Sequence, residues 1–317
     1  MAFPDNDAKW EKVMSASVEI IEVAPRDGLQ NEKVEVSTAD KIALIDRAFA
    51  AGCRKVEVTS FVNPKLVPRM ADAEAVMAGI LPRHGDKTLI GLALNVRGAE
   101  RALAAGCNQI NYVCSASDGF ARRNQNATAA ELVAGAADVA RLVRQAGKPL
   151  AISITTSFGC PFDGEVPAEQ VMAVFEAVLR LEPYEIGFAD TIGCGVPSQV
   201  TDLLGRARAL SKTVKLRCHF HDTRNTGVAN AVAAVAAGVD YLDASIGGVG
   251  GCPFAPAATG NVATEDLVYA FDRMGIRTGL AIDRLIDTAH WLSGVLGKPV
   301  PSALNRAGVF PAKVSNG

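Results

Sequence analysis

The sequence lacks the excess of positive charge that most nucleic-acid-binding proteins carry. Its 317 residues include 32 Lys and Arg against 34 Asp and Glu, which gives a net charge of −2 with His neutral and a pI near 6.1. No basic surplus is available to neutralise a phosphate backbone. We therefore expect no nucleic-acid partner and look for function among small-molecule chemistries.

The sequence also lacks a dense set of cysteines and any long apolar run. Seven scattered cysteines in a chain of this length do not suit a disulfide framework and indicate a reducing compartment. The longest apolar stretch, 228–239, contains Asn230 and falls short of the roughly 20 apolar residues of a membrane span. Residues 1–16 are polar and partly acidic, unlike a secretory signal or a transit peptide. We expect a cytoplasmic protein that does not associate with membranes.

Short β-branched runs alternate with longer segments of helical periodicity along almost the whole chain. The eight predicted strands are 18–23, 55–59, 89–93, 109–113, 151–155, 185–189, 215–220 and 241–245. The predicted helices are 38–51, 67–79, 97–105, 129–145, 168–181, 198–211, 227–237 and 264–274. Thr264, followed by acidic residues, is the expected cap of the last of these helices.

This alternation predicts the α/β class and a (β/α)8 TIM barrel with an extra C-terminal helical segment. We expect a single catalytic domain over 1–317, with the barrel at about 18–280 and the C-terminal helix and tail at 281–317. The alternative is a doubly wound open sheet. That fold would want a glycine-rich phosphate turn after the first strand, and APRDG at 24–28 is not one.

The most specific local pattern is the pair His219 and His221, half of the four histidines in the chain. Side chains two apart on a strand point the same way, so both imidazoles can face the barrel mouth and share a cation. Oxygen donors from Asp27, after strand one, and Asn261, beyond strand eight, would suit Mg²⁺ or Mn²⁺. The alternative is that neighbouring carbonyls simply satisfy the two histidines.

Arg26 precedes Asp27 at the end of the first strand. The two could form a plain surface ion pair, but side chains of adjacent residues at a strand end diverge, which makes such a pair awkward. In the alternative that we favour, Asp27 meets the metal and Arg26 faces an oxygen that gains negative charge during the reaction.

Residues 247–251 contain four glycines in five positions and follow strand eight directly. Such a segment can cradle a phosphate or act as a mobile lid. The next residue, Cys252, is either an acid or base on a hinged loop, or a bystander beside the stiffening Pro253.

Five strand-end segments together resemble the 3-hydroxy-3-methylglutaryl-CoA lyases, within the superfamily of metal-dependent, aldolase-like TIM barrels. They are VAPRDGLQNE (23–32), VEVTSF (56–61), ADTIG (189–193), HFHDT (219–223) and GVGGCP (248–253). The resemblance runs from about residue 18 to 282 and includes GNVATEDLVY (260–269). The glycine loop that ends in Cys-Pro belongs to the lyase branch alone.

The resemblance implies a carbon–carbon lyase that splits 3-hydroxy-3-methylglutaryl-CoA into acetyl-CoA and acetoacetate with a divalent cation, Mg²⁺ or Mn²⁺. The implied metal ligands are Asp27, His219, His221 and Asn261. The implied catalytic residues are Arg26, which stabilises the enolate, the thiol of Cys252, and Asp190 and Glu57 as base and orienting group. The expected substrate-binding residues are Arg26, Gln30, Ser60, Thr191 and Gly250.

Two positions depart from the lyase pattern. Gly187 stands where a serine is expected, three residues before Asp190, and Arg224-Asn225 replace a tyrosine and a glycine after HFHDT. Because both positions are expected to border the mouth, the acyl group is the open part of the assignment.

The alternative functions follow from these departures and from the shared motifs. A lyase for a related 3-hydroxyacyl-CoA, such as (R)-citramalyl-CoA, could use the same residues. A Claisen condensing enzyme of the isopropylmalate-synthase kind, a phosphate-binding isomerase and a non-catalytic barrel fit fewer of them. We expect an acyl-CoA thioester substrate and a homo-oligomer, in the simplest case a dimer.

Overall fold

A computed structural model describes residues 16–251 and 260–311. Eight parallel strands close into a barrel in the order β1 to β8, and β8 pairs with β1. The strands are β1 Glu19–Glu22, β2 Lys55–Ser60, β3 Thr88–Ala93, β4 Gln109–Ser115, β5 Leu150–Thr155, β6 Glu185–Asp190, β7 Lys215–Phe220 and β8 Tyr241–Ala244. The predicted (β/α)8 fold is confirmed. Each predicted strand begins and ends within two residues of the observed strand.

Helices follow the strands and cover the outside of the barrel. They are α1 Thr38–Ala50, α2 Ala73–His84, α3 Val96–Ala104, α4 Asp118–Gln125, α5 Ala129–Gln145, α6 Ala168–Leu179, α7 Pro197–Leu210, α8 Gly227–Ala236, α9 Thr264–Met274, α10 Ile282–Leu296 and α11 Leu304–Ala307. Within the described residues, none of these helices is both long and apolar enough to cross a membrane.

Two helices differ from the expectation. The helix predicted at 67–79 begins later, because Pro68–Met70 forms a 3-10 turn and α2 starts only at Ala73. Helix α4 was not expected, since its sequence DGFARRNQ carries no apolar stripe. Its N-terminus is capped by Ser117, whose side-chain oxygen accepts from the backbone N–H of Phe120.

The strands divide their side chains between two environments. In β7, Leu216, Cys218 and Phe220 belong to the apolar core that the helices cover. The alternate residues Arg217 and His219 line a cavity inside the barrel mouth. Because successive side chains on a strand point to opposite faces, an apolar outer layer comes with a polar and charged interior, where the site residues lie.

Glu22 joins the first strand to the last loop. One carboxylate oxygen accepts from the backbone N–H groups of Ala24 and Ile246, and the other accepts from the hydroxyl of Thr264. The expected capping role of Thr264 is therefore wrong. Ala263 occupies the N-cap position of α9, and the hydroxyl of Thr264 turns to Glu22 instead. This buried carboxyl fixes the seam where the barrel closes.

The buried carboxyl of Glu22 makes the stability of the protein depend on pH. Burial raises the pKa of Glu22 from about 4.5 to about 8. As the pH rises through this window, the unfolded chain loses the proton and the folded chain keeps it, so the wild type loses stability. The side chain of Glu22→Gln does not titrate, so this variant does not lose stability in this way. We expect the melting temperature of Glu22→Gln, relative to the wild type, to rise by several degrees between about pH 5 and about pH 8.5.

Differential scanning calorimetry at the two pH values measures this difference. Glu176→Gln, at an exposed position on α6, is the matched control and should show no such trend. A Glu22→Gln difference that stays constant with pH would contradict the role given to the buried carboxyl.

Candidate active site

A cavity of about 530 Å³ opens at the carboxyl ends of the strands. Its inner part is lined by polar and charged side chains, and its outer part by the loops that follow β2, β3 and β4. The inner lining residues include Arg26, Asp27, Asn111, Ser153, Arg217, His219, His221 and Asp243. The outer lining residues include Val62, Asn63, Leu66, Val67, Phe120, Arg123, Asn124 and Asn126.

A tight turn after β1 presents Arg26 and Asp27. The backbone N–H groups of Arg26, Asp27 and Gly28 all donate to the carbonyl of Val23, which gives a π-helical turn. Nη1 of Arg26 lies 2.5 Å from Oδ1 of Asp27. The expectation that these adjacent side chains diverge is wrong, because the turn is helical and not extended.

The four expected metal-binding residues lie together. Nε2 of His219 and Nε2 of His221 are each 3.9 Å from Oδ2 of Asp27. One ligand atom from each of these three residues lies within 4.8 Å of the others. Nδ2 of Asn261 donates to Oδ2 of Asp27 at 2.9 Å.

The donor set fits a divalent cation. Oδ1 of Asn261 is buried and has no hydrogen-bond partner in the part of the chain that the structure describes. A buried carbonyl oxygen without a partner is costly unless something binds it. With two imidazoles, one carboxylate and this oxygen, the chemistry suits Mg²⁺ or Mn²⁺, while no cysteine lies in the described cluster to favour a structural zinc.

The charges of the cluster shift its pKa values. Burial opposes ionisation of Asp27, but the charge of Arg26 and the two imidazoles bring its pKa well below the usual range. Burial and the neighbouring His219 lower the pKa of His221 to about 4. For His219, burial acts downward, but the hydrogen bond to Asp243 and the charge of Asp27 raise the pKa. Asp27 is therefore ionised and His221 is neutral near pH 7.

Asp243 is a site residue that our sequence analysis missed. Its Oδ2 lies 3.0 Å from Nδ1 of His219 and so holds the ring with Nε2 toward Asp27. A carboxylate behind a metal-binding histidine fixes the tautomer and the ring direction. The available signal was an acidic residue inside the buried strand β8.

Arg26 is aimed by a second carboxylate. Its Nε donates to Oε1 of Glu57, and Oε2 of Glu57 accepts from Nδ2 of Asn111 at 2.8 Å. Glu57 is fully buried. Its contacts support the expected orienting role.

The remaining predicted substrate-binding residues lie at different depths. Gln30 and Thr191 line the cavity. Ser60 is buried behind Gln30, and its hydroxyl donates to Oε1 of Gln30 at 3.2 Å. Ser60 therefore positions Gln30 and does not itself line the cavity.

The glycine loop approaches Asn261 so closely that glycine is required. Gly250 has a φ of +108°, and a Cβ there would lie 2.6 Å from Nδ2 of Asn261. The backbone N–H of Gly247 donates to the carboxylate of Glu265, and that of Gly248 donates to Ser245. Since these N–H groups are already bonded, a phosphate cradle at this part of the loop is not supported. Cys252 lies outside the described residues.

Asp190 is placed differently from the other predicted residues. Its two oxygens accept from the backbone N–H groups of Cys194 and Gly195, each at 2.9 Å. The carboxylate is fully buried and is not part of the cavity lining. A strand-end position indicated the mouth of the barrel, but it could not show that the side chain turns away to hold a loop. The contacts support a structural role and not that of a base.

The two departures from the lyase pattern also differ in position. Nη1 of the exposed Arg224 donates to the carbonyls of Ile192 and Gly193, both at 2.9 Å, and so ties two loops together outside the cavity. Gly187 lies deeper, within β6 and beside Arg217. Of the two, only Gly187 lies beside a residue that lines the cavity.

Comparisons with known proteins agree with this geometry. The family described as HMGL-like matches residues 17–292. The (R)-citramalyl-CoA lyase of Chloroflexus aurantiacus is 41% identical over 94% of this chain and 98% of its own. The hydroxymethylglutaryl-CoA lyase of Bacillus subtilis is 40% identical over 90% and 95%. The structure of an HMG-CoA lyase from Acinetobacter baumannii, in complex with coenzyme A and 3-methylmalate, has a TM-score of 0.90, 39% identity and coverage of 94% and 97%.

The contact between Asp243 and His219 predicts the effect of Asp243→Asn on metal binding. Without the carboxylate, the ring of His219 loses its fixed tautomer, and the affinity for Mn²⁺ should fall about 10- to 100-fold. Titration calorimetry with Mn²⁺ measures the change. Asp240→Asn removes a carboxylate that pairs with Arg208 and Lys215 at the other end of the barrel and should bind Mn²⁺ like the wild type. Equal affinity in both variants would contradict the role of Asp243.

Proposed function

Because the chain belongs to the HMGL-like family, we propose that it is a carbon–carbon lyase that cleaves 3-hydroxy-3-methylglutaryl-CoA into acetyl-CoA and acetoacetate. The observation that carries this proposal is the meeting of Asp27, His219 and His221 with Arg26 in one cavity. Such a site combines donors for a cation with a fixed positive charge, and cleavage of a tertiary alcohol beside a thioester needs both.

Asp27, His219 and His221 would hold the divalent cation, and Asn261 would offer its buried side-chain oxygen as a fourth donor. When bound, a divalent cation lowers the pKa of a coordinated hydroxyl and fixes the direction of that group. The protein residues supply the frame. Asp243 keeps His219 in place, and the ionised Asp27 also anchors Arg26.

The cleavage breaks the bond between C2 and C3 of the acyl group. The C3 hydroxyl gives up its proton to a base and becomes the ketone of acetoacetate, while C2 leaves as a thioester enolate and then takes up a proton, so that one proton is lost and one is gained overall. Arg26 faces the enolate oxygen. Glu57 and Asp27 fix its guanidinium beforehand, so no reorganisation is needed when the charge develops.

Cys252 is the proposed donor of the proton that C2 takes up. It follows Gly251, which lines the cavity and whose carbonyl accepts from Nδ2 of Asn31. The end of the glycine loop is thus held at the edge of the cavity. We assign this role to the thiol because a thiol can donate a proton to a carbanion and because Cys252 is the next residue in the sequence after Gly251.

The carrier of the thioester would occupy the outer part of the cavity. That part extends over the loops after β2 and β4 and includes Arg123, Asn124 and Asn126. The guanidinium of Arg123 also lies 4.0 Å from the ring centre of Phe162. A fixed cation and amide groups suit the phosphates of an acyl-CoA.

A second candidate substrate is (R)-citramalyl-CoA, which would give pyruvate and acetyl-CoA by the same bond cleavage. The 41% identity to the Chloroflexus aurantiacus enzyme over nearly its whole length favours it. Gly187, which lies beside the cavity-lining Arg217, also departs from the pattern of the hydroxymethylglutaryl-CoA lyases.

Product analysis tests the proposal directly. Purified protein incubated with Mg²⁺ or Mn²⁺ and 3-hydroxy-3-methylglutaryl-CoA should release acetyl-CoA and acetoacetate in equal amounts. Protein stripped of metal with a chelator should be inactive, because no cation is then bound to activate the C3 hydroxyl. Its activity should return when Mg²⁺ or Mn²⁺ is added back. Full activity of the stripped protein would overturn the metal assignment. Failure of the metal-loaded protein to cleave 3-hydroxy-3-methylglutaryl-CoA would overturn the substrate assignment. (R)-Citramalyl-CoA, run in parallel, decides between the two candidates.

The role of Cys252 predicts a loss of turnover without a loss of fold. Cys252→Ala should retain metal content and melting temperature, while kcat falls by about 100-fold or more, since the leaving carbanion has lost its proton donor. Steady-state kinetics measure kcat. Cys107→Ala changes a buried cysteine before β4, at the opposite end of the barrel, and should keep its turnover. Unchanged turnover of Cys252→Ala would remove the thiol from the mechanism.

A further inference from the structure

The interior of the barrel holds a buried arginine directly beneath the metal-binding residues. Arg217 precedes His219 by two positions on β7, so both side chains point inward, and Arg217 lies about 7 Å deeper along the strand. The side chain of Arg217 is only 2% exposed, yet it contributes to the lining of the cavity. The cavity is therefore bounded on this side by the side chain of Arg217.

The neighbouring strand leaves room for this side chain. Gly187 on β6 pairs in register with Arg217 and contributes no side chain. A Cβ at Gly187 would lie 3.6 Å from Cβ and 3.7 Å from Cδ of Arg217, and 3.5 Å from Oγ of Ser153. The aliphatic part of Arg217 therefore packs over the space that the glycine leaves open.

Three carboxylates hold the guanidinium in this position. Nε and Nη2 donate to the two oxygens of Asp243 at 2.5 and 2.7 Å. Nη2 also donates to Glu57 at 3.2 Å, and Nη1 donates to Glu185 at 3.3 Å. To swing aside, Arg217 would have to leave three buried carboxylates without their cation, which is strongly unfavourable. Arg217 is therefore held rigidly at the inner end of the cavity.

We propose that Arg217 is a specificity-determining residue that closes the acyl pocket from below and limits the size of the acyl group. The proposal rests on the proposed function, in which the long carrier of the thioester takes the open, outer part of the cavity. The C3 branch of the acyl group is then placed toward Arg217. A methyl branch fits above the guanidinium, whereas a longer branch at the same carbon meets it.

Competition between two thioesters tests this limit. One is 3-hydroxy-3-methylglutaryl-CoA, and the other is its synthetic homologue with a butyl group in place of the C3 methyl, both supplied with Mg²⁺. The wild type should prefer the methyl compound. Arg217→Ala should raise the ratio of kcat/KM for the butyl compound over the methyl compound by about 10-fold or more, the effect typical of a few methylene groups in a pocket.

Arg217→Met is the matched control. Both variants remove the guanidinium from the three carboxylates and should lose activity on both thioesters. A loss that is common to both thioesters cancels in the ratio of their kcat/KM values. Methionine refills much of the volume, so its ratio should stay within about twofold of the wild type. A merely structural role of Arg217 would lower both rates and move neither ratio.

The outcomes separate this inference from the proposed function. An unchanged ratio in Arg217→Ala, or an equal shift in Arg217→Met, would overturn the inference alone. Cleavage of neither thioester by the wild type would overturn both proposals. If Arg217→Ala does not fold, as judged by circular dichroism, Arg217→Val keeps a side chain that suits a strand and still leaves space beneath the acyl group. Its ratio should then rise about two- to threefold, and no rise would overturn the inference.

Discussion

The carboxylate of Asp27 lies between a guanidinium and two imidazoles, and the rest of the site is built around this contact. Nε2 of each imidazole lies 3.9 Å from the carboxylate, and Arg26 contacts it from the other side. The carboxylate of Asp27 is largely withdrawn from solvent, with 17% of its side chain exposed, and such a group costs roughly several kcal/mol unless it is well paired. Here it is paired on one side and faces the nitrogens of His219 and His221 on the other. The low pKa of His221, about 4, keeps that ring neutral and able to bind a cation.

The charges behind this contact form a continuous network inside the barrel. Asp243 holds His219 and Glu57 holds Arg26, so each half of the proposed chemistry has its own carboxylate. Arg217 donates to both carboxylates. Loss of one member would leave buried charges unpaired, which is more costly than the net value of any single bond. The metal-binding half and the enolate-binding half of the site are thus positioned together.

Much of the fold and part of the site could be predicted because they follow from local patterns. Alternating strands and helices predict the barrel, and a two-residue spacing on a strand predicts that His219 and His221 lie together. The partners that hold these groups are remote in sequence. Nothing local shows that Asp243 contacts His219, that Arg217 bridges three carboxylates, or that Asp190 turns toward a loop. Such contacts depend on strand register and closure, which only the folded barrel defines.

We propose that one cation binds at the point that Asp27, His219 and His221 face. Anomalous diffraction from crystals grown with Mn²⁺ tests it most directly. We expect a single strong peak about 2.0 to 2.3 Å from an oxygen of Asp27 and from one nitrogen of each imidazole, within reach of Oδ1 of Asn261. A peak elsewhere in the barrel, or no peak at this site at saturating Mn²⁺, would contradict the account.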